Sequence, residues 1–315
     1  MRERKSVVIT GASSGIGLAT ALAFARQGAR LTLASRRSGQ LARAARLCEK
    51  LGGAAQYVET DVTSALATRA LAQAAIRRYG RVDVWVNNAG VGTVGRFTET
   101  PIEAHEQVIR TNLVGYLHGA HAILPEFQRR GEGVLVNVIS FGAFVAPPFA
   151  ASYAASKFGL RGLSESLRAE LQDYPDIHIC DIFPGFVDTP GVRHAGNYTG
   201  HELHVTAPDR PEAVADAIVR VASRPRDKTS VGAIAKLTPL AYAMLPGLGR
   251  WIMTRGLGGA ISRTPKQAPT SGALFAPQTR PPHHATRNIA IGSALALTLA
   301  AALTLAAALA YGRRT

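Results

Sequence analysis

Tyr153 and Lys157 stand four residues apart in SYAASKFGL, and Ser140 lies thirteen positions upstream of the tyrosine. On a helix that spacing puts both side chains on one face, a turn apart, and the small residues between them leave the face open. A neighbouring ammonium favours phenolate and lowers a tyrosine pKa from about 10, so the pair could move a proton near neutral pH. Taken alone, the pattern also fits a surface helix that carries both residues by chance. The rest of the chain must supply a reason for the chemistry and a scaffold to hold it.

A second group of residues suggests what the proton transfer accompanies. TGASSGIG, Thr10 to Gly17, follows an apolar strand and opens a helical pattern. Glycines 11, 15 and 17 let the backbone turn tightly and approach a pyrophosphate, which the helix N-terminus then stabilises. At the end of the next strand, LASRRSG places Ser35 where an NAD site would carry a carboxylate for the ribose hydroxyls. Arg36 and Arg37 follow, and no acid occurs between Gly17 and Glu49. Guanidinium groups suit a 2′-phosphate, so the expected cofactor is NADP(H).

The elements that must position these groups are readable from apolar runs. SVVIT, ARLTLAS, AAQYVET, VDVWVNN, GVLVNVIS and IHICDIF read as strands, separated by helical patterns such as GLATALAFARQ and SALATRALAQAAIRRY. Nearly continuous apolar strands fit a parallel sheet buried on both faces. The expected fold is therefore α/β, a doubly wound parallel sheet in one domain over residues 1–237. A later helix, PEAVADAIVRVASR, and a short strand around SVGAIA would close it.

Beyond that point the character changes. Residues 238–262 form an apolar extension interrupted by Pro246, Gly247 and Gly249. It could be a substrate lid, a dimer contact, a segment on a membrane surface or ordinary packing. Residues 263–287 are proline-rich and read as a linker. Residues 288–311 include an uncharged run of 23 residues, Ile289 to Tyr311, in which ten alanines occur. As a helix of about 34 Å it could cross a bilayer core of about 30 Å. A buried alanine-rich helix is the plainer alternative, but its place behind a linker favours a transmembrane span.

Composition limits the alternatives. The net charge of +15 suggests nucleic acid, yet ten Lys or Arg and no acid lie beyond Asp227, leaving +5 for residues 1–227. No basic helix or aromatic-basic platform accompanies that charge, so no nucleic-acid partner is expected. Two cysteines without metal-ligand spacing fit a reducing compartment. His194, His201 and His204 lie in one loop region without a carboxylate–histidine pattern, so no metal is expected.

Taken together, TGASSGIG, Asp61 in TDVTS, NNAG at 87–90, Asn112 in TNLVG, Ser140 in NVIS, YAASK at 153–157 and PGFVDT at 184–189 resemble the compact branch of the short-chain dehydrogenase/reductase family. The resemblance runs from residue 5 to about 235 and is far more specific than any one motif. It implies a catalytic tetrad of Asn112, Ser140, Tyr153 and Lys157. Tyr153 would be the general acid or base, and Ser140 would hydrogen-bond the reacting oxygen. Lys157 would lower the tyrosine pKa and hold the nicotinamide ribose, while Asn112 would support a proton-relaying water. It also implies cofactor contacts from Gly11, Ser13, Ser14, Gly15, Ile16 and Gly17, from Asp61 and Val62 near the adenine, and from Asn88, Ala89 and Gly90. Pro184, Gly185, Val187 and Thr189 would cover the nicotinamide.

The expected activity is hydride transfer between NADP(H) and the carbonyl or secondary alcohol of a small molecule, with a lipophilic substrate suited to a membrane-anchored enzyme. The catalytic domain would sit on the cytoplasmic side, since the N-terminus carries no apolar export signal. The sequence leaves self-association open. The rival reading is a non-catalytic, membrane-anchored NADP-binding sensor or scaffold.

Overall fold

The computed structural model describes residues 4–203, 209–244 and 246–276. In chain order its strands are β1 (Ser6–Thr10), β2 (Arg30–Ser35), β3 (Ala54–Glu59), β4 (Val84–Asn87), β5 (Thr93–Val94), β6 (Glu132–Val138), β7 (Asp176–Pro184), β8 (Gly196–Asn197) and β9 (Lys228–Val231). The helices are α1 (Gly15–Ala25), α2 (Ser38–Lys50), α3 (Ala65–Tyr79), α4 (Ile102–Ile109), α5 (Gly115–Arg130), α6 (Ala151–Glu170), α7 (Pro190–Arg193), α8 (Pro211–Val221), α9 (Ala233–Met244) and α10 (Pro246–Ser262).

Seven strands form one parallel sheet in the order β3-β2-β1-β4-β6-β7-β9, and β5 pairs with β8 separately. Alternate residues of each central strand serve opposite faces. Val7 and Ile9 join the core with Phe24, Leu41 and Ile218 from α1, α2 and α8, while Val8 and Trp85 pack with Leu71 and Ile123 from α3 and α5. The strand order reverses at β1, so a crevice opens at the C-terminal ends of β1 and β4, where a doubly wound sheet binds its ligand.

A buried polar chain fixes α6, the helix that carries Tyr153 and Lys157. Trp85 Nε1 donates to Asn87 Oδ1 at 2.8 Å, and Asn87 Nδ2 to Asn137 Oδ1 at 3.0 Å. Asn137 Nδ2 donates to Ser164 Oγ on α6 at 3.1 Å, and Ser164 donates to Asp181 Oδ1 at 2.7 Å. Arg168, also on α6, donates to the other Asp181 oxygen at 2.7 Å. These groups are shielded from water, so their mutual bonds hold α6 in one register against β4, β6 and β7.

The closing elements differ from expectation. β9, Lys228–Val231, takes in only the first two residues of SVGAIA and pairs with Asp181–Pro184. Gly232, at φ +89°, then turns the chain, and GAIA starts α9 instead of continuing a strand. The apolar extension is divided at Pro246: α9 ends at Met244 and Pro246 opens α10, where a missing N–H costs nothing. Met253 of α10 is buried against Val145 beside Tyr242 and Leu257, whereas Trp251 and Met244 are exposed. Residues 263–276, expected as the start of a linker, instead run back along the domain. Thr270 pairs with Asn197 and Lys266 with His201, and Leu274 is fully buried near Ala104 and Val108. The proline content hides this docking, which relies on backbone bonds and one leucine.

Among the described residues no helix is long and apolar enough to cross a membrane. The expected span at 288–311 lies outside the described residues, as does the remainder of the expected linker.

Candidate active site

The reacting groups come together at the C-terminal end of β6. Ser140 follows that strand and caps a short 3₁₀ turn, Phe141–Ala143, its Oγ accepting from Gly142 N at 3.1 Å. Tyr153 sits in the first turn of α6, and its ring lies beside Ser140: a Cβ added at Gly142 would stand 3.4 Å from both Ser140 Oγ and Tyr153 Cε1. Lys157, one turn later and buried, donates to Val138 O at 3.2 Å. Its Nζ lies 5.6 Å from the centre of the Tyr153 ring and 5.4 Å from that of Tyr116. Three of the four expected residues therefore share one wall.

Asn112 supports that wall from behind. It lies in a π-helical turn, Arg110–Val114, between α4 and α5, a local widening common at functional positions. Its Oδ1 accepts from Val91 N at 2.8 Å, and its Nδ2 donates to Val91 O at 2.9 Å and to Ser156 Oγ at 3.3 Å. The side chain thus clamps the backbone after NNAG onto α6.

The electrostatics differ from the simple tyrosine–ammonium pair. Burial pushes the Tyr153 phenol up, with the Ser140 hydroxyl acting against it. Burial also brings Lys157 down to about 7, because no carboxylate balances its charge. Burial outweighs the neighbouring ammonium at Tyr153, so the expected lowering of the tyrosine is not present. A hydroxyl bound against Lys157 would replace its lost hydration and restore the ammonium.

A pH effect follows. Free lysine titrates at 10.5 and native Lys157 at about 7, so between those values the unfolded chain carries a proton that the native chain lacks. Stability of ligand-free protein should therefore rise with pH across that window and lose this contribution as pH falls through about 7. Denaturant titrations at about pH 7 and about pH 9 should show the rise in the parent and a smaller one in Lys157→Met. Equal changes in both proteins would remove Lys157 as the cause.

The cleft beside this wall is lined by Gly11, Ser13, Ser14, Gly15 and Ile16, by Arg36, Asp61 and Val62, and by Asn88, Ala89, Gly90 and Thr189. Gly17 lies behind them and is required for closeness: an added Cβ would stand 2.3 Å from Gly11 O and 2.6 Å from Asn88 Nδ2. Gly11 takes φ +67°, open to glycine and strained for other residues. A loop this tight at the start of α1 fits a dinucleotide pyrophosphate. Asp61 is shaped by Thr63, whose backbone N and hydroxyl donate to its Oδ1 at 2.9 and 2.8 Å.

Not every expected residue reaches the cleft. Pro184 and Gly185 lie where β7 meets Val231, outside the cleft walls, and Val187 is buried in the main core. Thr189 instead packs on the glycine loop, where a Cβ on Gly15 would come within 3.2 Å of it. Asn88 acts largely as a staple, its Nδ2 donating to Thr10 O at 2.9 Å.

Sequence reasoning passed over Tyr116, gave Thr10 no role of its own and weighed His194 only as a metal ligand. Thr10 Oγ1 accepts from the backbone N of Asn88 and Ala89, tying the two cofactor segments together. Tyr116 donates to Val138 O at 2.8 Å, the same carbonyl that Lys157 holds. Its position four residues after Asn112 was the available signal. His194 lines the cleft with both ring nitrogens buried and unpartnered. Phe141 packs against Phe186, Phe144 against Phe183 and Val145 against Met253.

A family model described as short chain dehydrogenase matches residues 5–198. The uncharacterized oxidoreductase YxnA of Bacillus subtilis (strain 168) is 35% identical over 255 residues, which cover 79% of this chain and 71% of that protein. A short chain dehydrogenase/reductase from Burkholderia phymatum, solved in complex with NAD, matches with TM-score 0.70 and 27% identity, covering 79% of this chain and 96% of that one. An alcohol dehydrogenase from the archaeon Thermococcus sibiricus, complexed with 5-hydroxy-NADP, matches with TM-score 0.62 and 30% identity, covering 72% and 96%.

Proposed function

The chain belongs to the short chain dehydrogenase family, and from that premise we propose that it is an NADP(H)-dependent oxidoreductase. It reduces a carbonyl or oxidises a secondary alcohol, and residues 288–311 hold it at a membrane. The observation that carries the reading is the convergence of Ser140, Tyr153 and buried Lys157 on one wall, together with the glycine-walled cleft. One structural neighbour was solved with NAD and another with a modified NADP, which supports a nicotinamide without choosing between them. Ser35 and Arg36 at the end of β2 support NADP.

The cofactor, when bound, supplies or accepts the hydride. The side chains manage the proton and the charge on oxygen. Ser140 and Tyr153 donate to one substrate oxygen, stabilising the negative charge that grows on it in reduction. Tyr153 gives that oxygen its proton, and in the reverse direction takes it. Lys157, recharged by a bound hydroxyl, holds the phenolate that remains. Asn112 keeps α6 and the Val91 backbone at the distance this requires. Deuterium at C4 of NADPH should appear on the carbinol carbon of a reduced ketone; label released only to water, or retained throughout a broad carbonyl panel, would contradict the reading.

A lipophilic substrate suits an enzyme held at a membrane. A bilayer raises the local concentration of such a molecule. The run from Ile289 to Tyr311 is the anchor in this reading, with the catalytic domain on the cytoplasmic side. Full-length protein should sediment with membranes and resist carbonate extraction. Recovery of the full chain in the soluble fraction without detergent would contradict the anchor.

A further inference from the structure

Residues 263–276 form a strap that leaves α10 and runs antiparallel to residues 194–202. Asn197 N donates to Thr270 O at 2.7 Å and Thr270 N returns the bond to Asn197 O at 2.8 Å. Gln267 N donates to Gly200 O at 2.9 Å, and Ala273 N to His194 O at 2.8 Å. Leu274 pins the end in an apolar socket beside Ala104 and Val108. Gly272 sits between these anchors at φ +55°, where an added Cβ would meet His194 O at 2.2 Å and Ala195 O at 2.6 Å.

The strap reaches the residue on which cofactor choice rests. Arg36 Nη2 donates to Ala273 O at 3.1 Å, and its Nη1 to Phe275 O at 3.2 Å. Ala273 itself lines the cofactor cleft. Its peptide is therefore a joint: the N–H holds the segment after Thr189, and the carbonyl holds the end of β2. A guanidinium has five N–H donors in a rigid fork, so two bonds to the strap leave others for an anion. Nearby, burial first and then the charges of Arg37 and Arg193 lower the pKa of His194, whose buried ring nitrogens have no hydrogen-bond partner among the described residues. Cationic groups and unused donors thus meet at one end of the cleft.

We propose that the strap is a cofactor-selectivity element: the carbonyls of Ala273 and Phe275 hold the Arg36 guanidinium in position for the 2′-phosphate of NADP(H). This rests on the NADP reading above and adds that selectivity depends on residues about 240 positions from the arginine, through the separations of 237 and 239 seen in these two bonds. A mobile arginine loses rotamer entropy on meeting a phosphate, whereas one already held by two carbonyls has less to lose. Leu274 also packs in the cluster that holds Val91 and Tyr153, so NADH binding is the measure of any contribution common to both cofactors.

Gly272→Ala and Leu274→Ala, each in the full chain, lift the strap from opposite sides of Ala273. Hydrogen exchange across residues 270–275 reports the lifting. Dissociation constants for NADPH and NADH are read by calorimetry, with 2′,5′-ADP as a probe that carries the 2′-phosphate but no nicotinamide. Each variant should weaken NADPH and 2′,5′-ADP by about tenfold and leave NADH within about twofold. In an Arg36→Ala background the same substitutions should cost NADPH nothing further, because the strap acts through that arginine.

Equal weakening of both cofactors would make the strap merely structural, and unchanged or tighter NADPH binding with the strap lifted would also overturn the proposal. If the parent prefers NADPH but the variants keep that preference, the strap proposal alone falls. A parent that prefers NADH overturns the NADP reading and the strap proposal together.

Discussion

Tyr153→Phe should bind NADPH as the parent does and lose turnover by about 10²–10⁴-fold. The substitution removes one hydroxyl at a position held by α6 packing, so the ring and helix stay in place. What disappears is the hydroxyl that, beside Ser140, is the proton donor in the proposed reaction. Ser140 remains and can still stabilise charge, which is why the loss is confined to the proton-transfer contribution. Lys157 keeps its bond to Val138 O, so the cofactor side of the site is undisturbed. Single-turnover rates measured beside NADPH dissociation constants separate chemistry from binding. Activity within a few-fold of the parent would remove Tyr153 from the mechanism.

Arg36→Ala should weaken NADPH binding by about 1.5–3 kcal/mol, roughly 10–150-fold, with NADH almost unaffected. The range is that of hydrogen bonds to a charged group, since Arg36 is the arginine that lines the cleft directly after Ser35. Arg37 also lines it and keeps part of the cationic field, which sets the effect below complete loss. Arg36 additionally ties β2 to the strap, so a general loosening is the competing effect. The NADH measurement discriminates, because loosening weakens both cofactors while loss of a phosphate partner weakens one. Equal weakening, or a parent that prefers NADH, would refute the assignment.

The doubly wound sheet was legible because its central strands are buried on both faces and so read as unbroken apolar runs. The glycine loop and the Tyr153–Lys157 pair were legible because their chemistry requires fixed spacing within one element. Features built from distant backbone atoms were not. Asn112 was expected behind the site, but its clamp on Val91 depends on main-chain groups that carry no residue signature. The strap at 263–276 was hidden for the same reason, since prolines and polar residues mark a linker unless a partner edge is known. Val187 was expected to face the cofactor and is buried in the core, because β7 ends at Pro184 and the chain then turns inward. The opposing pKa directions at Tyr153 and Lys157 also required the fold, for burial and not proximity dominates both.

The central claim is that an intact Ser140–Tyr153–Lys157 wall beside a nicotinamide cleft performs catalysis and does not merely bind a nucleotide. It is tested most directly by adding a panel of ketones and aldehydes to detergent-solubilised full-length protein already shown to bind NADPH. The loss of reduced nicotinamide is followed at steady state, with Tyr153→Phe as the control. Substrate-dependent oxidation of NADPH in the parent, absent from the variant, is the result expected. Saturable NADPH binding with no oxidation across the panel, or oxidation that proceeds equally in Tyr153→Phe, would contradict it.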